Sequence, residues 1–207
     1  MMPEQLLKDK QAFVFELDNV LYPEKDYLLQ VYYLFAQFIE YGEQLNSADI
    51  VKYMQEQYLA EGPENLFEKT AAEFKIPEKY KVNFDLVMQN AKLPLKLLIY
   101  NKALTFLQDI VAAGKQIFLF VDGDSLMQLN KIKQVEWNGL EKNLIVYFSE
   151  ESEPKPGTKG IEMILERHNL KPEQVLMIGA KAADQECARN ANVGYLSVSE
   201  VLEEKLD

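Results

Sequence analysis

Five short, continuous runs of apolar residues punctuate the chain: Ala12 to Phe15, Ile117 to Val121, Leu144 to Phe148, Val175 to Ile178 and Tyr195 to Val198. Runs of this length predict strands buried on both faces. Between the later runs, apolar positions recur at helical spacing. The predicted helices are Asn101 to Ala113, stopped at Gly114; Ser125 to Trp137, stopped at Asn138-Gly139; Thr158 to His168, stopped at Asn169; and Asp184 to Ala191, before Asn192. Gly and Asn just past a periodic segment are helix stops because they tolerate a left-handed backbone. Strand and helix in alternation predict an α/β fold, a Rossmann-like doubly wound parallel sheet with helices on both faces.

From Pro23 to Tyr100 the alternation breaks and no run reads as a strand. Leu28, Tyr32, Phe35 and Ile39 fall at helical spacing, with Val31 and Phe38 widening the stripe. Ser47 is the predicted N-cap of a second helix carrying Ile50, Met54 and Tyr58. Gly62-Pro63 and Ile76-Pro77 punctuate further helices. The expected organisation is an α/β core from residues 1–22 and 101–207, interrupted by a helical subdomain over 23–100. Its aromatic stripe reads as helix packing in preference to a ligand box.

Charge and composition narrow the function. The 207 residues suffice for one sizeable core plus an insertion. A net charge of −11 repels a phosphate backbone, which argues against a nucleic-acid partner. One Cys and one His rule out an intrachain disulfide and a Cys/His zinc cluster. No apolar stretch approaches the roughly 20 residues of a membrane span, and MMPEQLLKDK is too polar for a signal sequence. The expectation is a soluble cytoplasmic protein without a membrane partner.

In open α/β sheets ligands bind beyond the carboxyl ends of the strands. Glu16 and Asp18 follow the first apolar run; Val121-Asp122-Gly123-Asp124 closes the second; Lys155-Pro156 lies in a loop after the third; Gly179-Ala180 and then Asp184 follow the fourth. Carboxylates suit Mg²⁺ and a Lys answers phosphate charge, so the pattern predicts a phosphate-plus-cation pocket.

These residues resemble the motifs of the haloacid dehalogenase (HAD) superfamily of phosphohydrolases. Glu16-Leu17-Asp18-Asn19-Val20-Leu21-Tyr22-Pro23 is similar to the family's Asp-Leu-Asp-Asn-Thr-Leu-Tyr-Pro. The helical insertion follows where the family carries a cap. Val121-Asp122-Gly123 stands at the second motif, usually Thr-Asn-Gly. Lys155-Pro156 matches the third, and Ile178-Gly179-Ala180 through Asp184 the fourth, usually Ile-Gly-Asp-x-x-x-Asp. The motifs occur in the family's order over nearly the whole chain.

The resemblance implies Mg²⁺-dependent hydrolysis of phosphomonoesters, with roles for particular residues. Glu16 stands where the family's nucleophilic Asp forms an aspartyl-phosphate. It is one methylene longer, and a displacement of about 1 Å can cost ~10²-fold in rate. Asp18 matches the general acid/base. Val121, Asp122, Gly123 and Lys155 stand at the phosphate-binding positions, but Val121 lacks the usual hydroxyl; loss of one aimed donor costs ~10²–10³ in turnover. Glu16, Asp18 and Asp184 are the implied Mg²⁺ positions. Ala180 replaces a direct ligand, for which Asp122, Asp124 or Glu16 could partly substitute, so Mg²⁺ binding is expected to be weak or absent.

Three altered positions, Glu16, Val121 and Ala180, lead to the expectation of a HAD-like protein whose phosphatase activity is lost or very weak, with a binding or regulatory role. The alternative is an active phosphatase on a small phosphorylated metabolite. A receiver-type domain shares acidic residues and a Lys at strand ends, but the long insertion argues against it. Outside the motifs, Lys159 reads as an exposed helix residue and His168 as facing the carbonyls of a helix C-terminus. Cys187 reads as packing, and Trp137 as the anchor of the helix that it ends.

Overall fold

The structure, a computed structural model, describes residues 3–202; Met1 and Met2 of the N-terminal stretch lie outside it. Along the chain, α1 (Pro3–Asp9) leads into β1 (Ala12–Phe15). Four helices follow: α2 (Glu24–Glu43), α3 (Ser47–Glu61), α4 (Leu66–Phe74) and α5 (Lys81–Asn90). Alternation then begins with α6 (Asn101–Ala112), β2 (Gln116–Val121), α7 (Ser125–Gln134), β3 (Leu144–Phe148) and α8 (Lys159–Arg167). It ends with β4 (Val175–Gly179), α9 (Ala182–Asn190), β5 (Gly194–Ser197) and α10 (Val198–Leu202). The residues divide into two compact units. One holds residues 3–23, Leu98–Gln128 and 135–202; the other holds Glu24–Leu97 and Leu129–Gln134.

The first unit is built on a five-stranded parallel sheet in the order β3-β2-β1-β4-β5. Every residue of β1 is buried, as a strand hydrogen-bonded on both edges and covered on both faces requires. Alternate residues serve opposite faces. Val14 joins Phe118, Phe120, Ile161, Ile164 and Met177 in one apolar cluster. Phe13 and Phe15 each meet Phe106 of α6 edge to face, at 5.5 and 6.1 Å between centroids. The register aligns Phe15 with Leu119 and with Ile178, so β1, β2 and β4 end side by side. Gly160 admits α8 against this sheet, since a Cβ there would collide with the Phe120 ring. The chain therefore has the Rossmann-like α/β fold that its apolar runs predict.

The second unit packs helices around aromatic residues. Tyr27, Leu28, Val31, Tyr32, Phe35, Ala36 and Ile39 are buried along α2. Phe35 meets Phe84 at 5.1 Å and Phe67 at 5.9 Å. Phe38 departs from the expected stripe: it is 40% exposed and rests on Tyr80.

Several features differ from expectation. The stretch in which no run reads as a strand holds a two-residue strand at Leu97–Leu98, and another, Val135–Glu136, follows α7. Asn46, not Ser47, caps α3, its Oδ1 accepting from the N–H groups of Ala48 and Asp49. Ser47 instead donates its hydroxyl to Glu40 at 2.8 Å. Helix α7 stops at Gln134, three residues before Trp137, which is buried beyond the helix end and does not end it. Val198 opens α10, so the last strand ends at Ser197. His168 does not serve the helix carbonyls through its ring. The ring lies 4.6 Å from that of Phe118, with Nε2 at 3.0 Å from the Tyr147 hydroxyl. Lys159 is exposed and Cys187 buried, as expected. Among the described residues no helix is long and apolar enough to cross a membrane.

Candidate active site

The aligned ends of β1, β2 and β4 set the site. Where β1 leaves the sheet, the Glu16 N–H still bonds to the Ile178 carbonyl, which holds Glu16 beside β4. The chain then turns sharply. Asn19 takes a left-handed conformation, and its N–H donates to the Tyr22 carbonyl. Asn accommodates that geometry better than most residues.

Lys155 stands at the centre with its side chain fully buried, just before a cis peptide to Pro156. Its ammonium donates to Glu16 and, at 2.8 Å, to Asp184, and lies 3.6 Å from Asp122. It also sits over the Phe120 ring, 4.9 Å from its centroid. A buried ammonium needs such partners, because desolvation otherwise drives off its proton. Burial pulls the Lys155 group down, but attraction to Glu16, Asp184 and Asp122 prevails and holds its pKa above the usual lysine range.

Each carboxylate has its own anchor. Glu16 Oε1 accepts from the Leu17 N–H at 2.9 Å. Asp184 Oδ2 accepts from the N–H groups of Ala180 and Lys181 at 3.1 and 3.0 Å, at the start of α9. Gly179 makes room for that fold-back: a Cβ there would lie 2.6 Å from Asp184 Oδ2. One ammonium among three carboxylates leaves excess negative charge. Burial outweighs the pull of Lys155 and pushes the Glu16 carboxyl up to about 7, with Asp184 adding a smaller push in the same direction.

Asp18 is held separately. Its Oδ1 accepts from the Tyr22 hydroxyl at 2.6 Å and its Oδ2 from Gln128 Nε2 at 3.1 Å. Gln128 Nε2 also donates to the Asp122 carbonyl at 2.8 Å, so this amide ties Asp18 to the loop after β2. Gln128 is a participant that the sequence reading misses. Helix α7 buries Gln128 and Lys131 while exposing Leu126 and Leu129, the reverse of what hydrophobicity suggests.

The remaining positions divide. Val121 is fully buried and offers no donor. Gly123 takes a positive φ of 98°, which suits a residue without a Cβ. Asp122 directs one oxygen toward Lys155, an arrangement of opposite sign to phosphate binding through its side chain. Asp124 Oδ1 accepts from the Met127 N–H at 2.8 Å in the first turn of α7. Ala180 is exposed and has no carboxylate to give.

For a metal ion the structure gathers Glu16, Asp122 and Asp184, with one oxygen of each lying within 4.8 Å of the others. That group takes in Asp122, which the sequence offers as a substitute ligand, and leaves out Asp18, whose oxygens accept from Tyr22 and Gln128. Asp122 Oδ1 is buried without a hydrogen-bond partner. An orphaned carboxylate oxygen beside two further carboxylates fits a hard cation such as Mg²⁺. Lys155 is the competing cation in the same place.

The family model for haloacid dehalogenase-like hydrolases matches residues 13–198. No curated protein matches the chain. Solved structures resemble it in fold. A putative beta-phosphoglucomutase from Thermotoga maritima shares 18% identity with a TM-score of 0.59, over 93% of this chain and 97% of that one. A HAD family hydrolase from Deinococcus radiodurans R1, solved with bound phosphate and sodium, shares 15% with a TM-score of 0.56, over 91% and 80%. A hydrolase from Streptococcus pneumoniae TIGR4 shares 16% with a TM-score of 0.53, over 95% and 100%. With the family match reaching every strand of the five-stranded sheet and the strand-end residues in motif order, the chain belongs to the haloacid dehalogenase-like hydrolase family.

Proposed function

We propose that this protein is a HAD-like hydrolase homologue in which phosphomonoester hydrolysis is lost or very weak, and that its site serves a binding or regulatory role. The observation that carries this reading is the commitment of Lys155 to the chain's own carboxylates, Glu16 and Asp184, with Asp122 close by. An approaching phosphomonoester meets a cation already neutralised and carboxylates that repel it. Val121 adds no hydrogen bond to a phosphoryl oxygen, and Ala180 no ligand to a metal. In this reading residues 23–100 are the helical cap that the family resemblance implies.

Glu16, Asp122 and Asp184 would hold Mg²⁺, and Lys155 lowers their affinity for it. When bound, the ion supplies charge neutralisation that the missing carboxylate at Ala180 would otherwise strengthen. Asp18 keeps the acid/base position, oriented by Tyr22 and Gln128. Retention of Asp18 and Lys155 is what favours the second reading, an active phosphatase on a small phosphorylated metabolite.

An assay with an aryl phosphate and millimolar Mg²⁺ separates the two. The first reading predicts no turnover above the level of Asp18→Asn protein. Rapid turnover that is abolished by Glu16→Gln establishes the second.

A further inference from the structure

We propose that the second unit carries a binding site for a small multivalent oxyanion, of the diphosphate type, in the cavity lined by Lys92, Lys96 and Lys133. The cavity encloses about 370 Å³ and lies wholly within that unit. No carboxylate lines it, although the chain has 33 acidic residues against 22 basic ones.

The three lysines differ from five others of the same unit. Lys52, Lys69, Lys79, Lys81 and Lys131 each have a carboxylate within 4.0 Å. Among the described residues Lys92, Lys96 and Lys133 have no ion pair. Three lysines and no carboxylate along one cavity concentrate positive charge there, and a bound anion would balance it.

The wall that carries two of them is fixed. The Leu93 N–H donates to Gln134 Oε1 at 2.6 Å, and the Leu95 N–H to Gln30 Oε1 at 2.8 Å. The Ala91 carbonyl accepts from Gln134 Nε2 at 2.8 Å and Asn130 Nδ2 at 2.9 Å. Backbone on both sides of Lys92, and next to Lys96, is therefore pinned to α7 and α2. Lys133 projects from the same stretch of α7 that supplies Asn130 and Gln134. A preset wall reduces the ordering that binding would require. The bonds of Gln134 and Asn130 are already used, so recognition falls to the lysines. Ammonium groups on flexible stems act as point charges and favour multivalent anions over any particular shape. This site does not depend on the carboxylate-rich centre of the first unit.

The test is calorimetric titration of the full chain with inorganic pyrophosphate in metal-free buffer at low ionic strength. The proposal predicts a saturable isotherm with half-saturation below about 1 mM, weakening as salt is raised to ~0.2 M. Lys92→Gln, Lys96→Gln and Lys133→Gln combined should weaken binding about tenfold or more. The control combination Lys52→Gln, Lys79→Gln and Lys81→Gln removes the same charge from the same unit and should leave binding within about twofold. All but the half-buried Lys81 are exposed, and both variants should keep the wild-type circular dichroism spectrum. No saturable binding, or equal weakening in both variants, overturns the proposal.

Discussion

Lys155 and the lysines around the second unit's cavity carry the same charge in opposite settings. Lys155 is fully buried with carboxylates on several sides, whereas Lys92, Lys96 and Lys133 are exposed and have no ion pair among the described residues. A buried ammonium is stable only if the chain supplies its counterions, and once supplied those counterions occupy it. An exposed ammonium is stabilised by water and stays open to a ligand. Residue type at a family position therefore does not decide whether a cation is available; the surrounding charge does.

The largest effect should come from removing the buried cation. Lys155→Met leaves Glu16, Asp122 and Asp184 crowded without a counterion, and should cost about 3–5 kcal/mol in denaturant unfolding at pH 8. The Lys92→Gln, Lys96→Gln, Lys133→Gln combination should change stability by less than about 0.5 kcal/mol in the same assay. Similar losses in the two proteins would erase the contrast.

A second effect concerns Glu16 alone. Its carboxyl is raised from an ordinary 4.5 to about 7 because it is buried, despite the pull of Lys155. The folded chain then binds an extra proton between those values. The stabilisation is complete below about 4.5 and is lost as pH rises through about 7. Relative to Glu16→Gln, wild type should lose on the order of 2–3 kcal/mol between pH 4.5 and 8 in metal-free buffer. A pH-independent difference would mean that burial does not raise the Glu16 carboxyl.

The smallest effect is on the metal. Calorimetry of wild type with Mg²⁺ should show no micromolar site, because Lys155 competes and Ala180 gives nothing. A clear micromolar isotherm would mean that Asp122 replaces the missing ligand in full.

Much of the first unit is legible in the sequence, since a strand covered on both faces must be apolar throughout, and each strand of the five-stranded sheet overlaps a predicted run. Local chemistry decides what is not. Asn46 and Ser47 can both cap a helix, and only the backbone shows which one does. In α7 the exposed Leu126 and Leu129 and buried Gln128 and Lys131 invert the usual pattern, so hydrophobicity conceals both the helix's facing and the bridge from Gln128 to Asp18. The motif residues show which side chains gather at the strand ends. They do not show that Lys155 is spent on Glu16 and Asp184, because ion pairing depends on three elements distant in sequence.

The central claim is that changes at Glu16, Val121 and Ala180 silence the site, the longer Glu16 being what holds Lys155 in its pair. It is tested most directly by reverting all three together, as Glu16→Asp, Val121→Thr and Ala180→Asp, and measuring aryl phosphate hydrolysis with Mg²⁺. Groups that act as a unit respond weakly to single changes, so the combination is the informative protein. The account predicts turnover measurably faster than wild type, with the gain removed by adding Asp18→Asn. A folded revertant that stays inactive would contradict it and show that the pocket itself has been rebuilt.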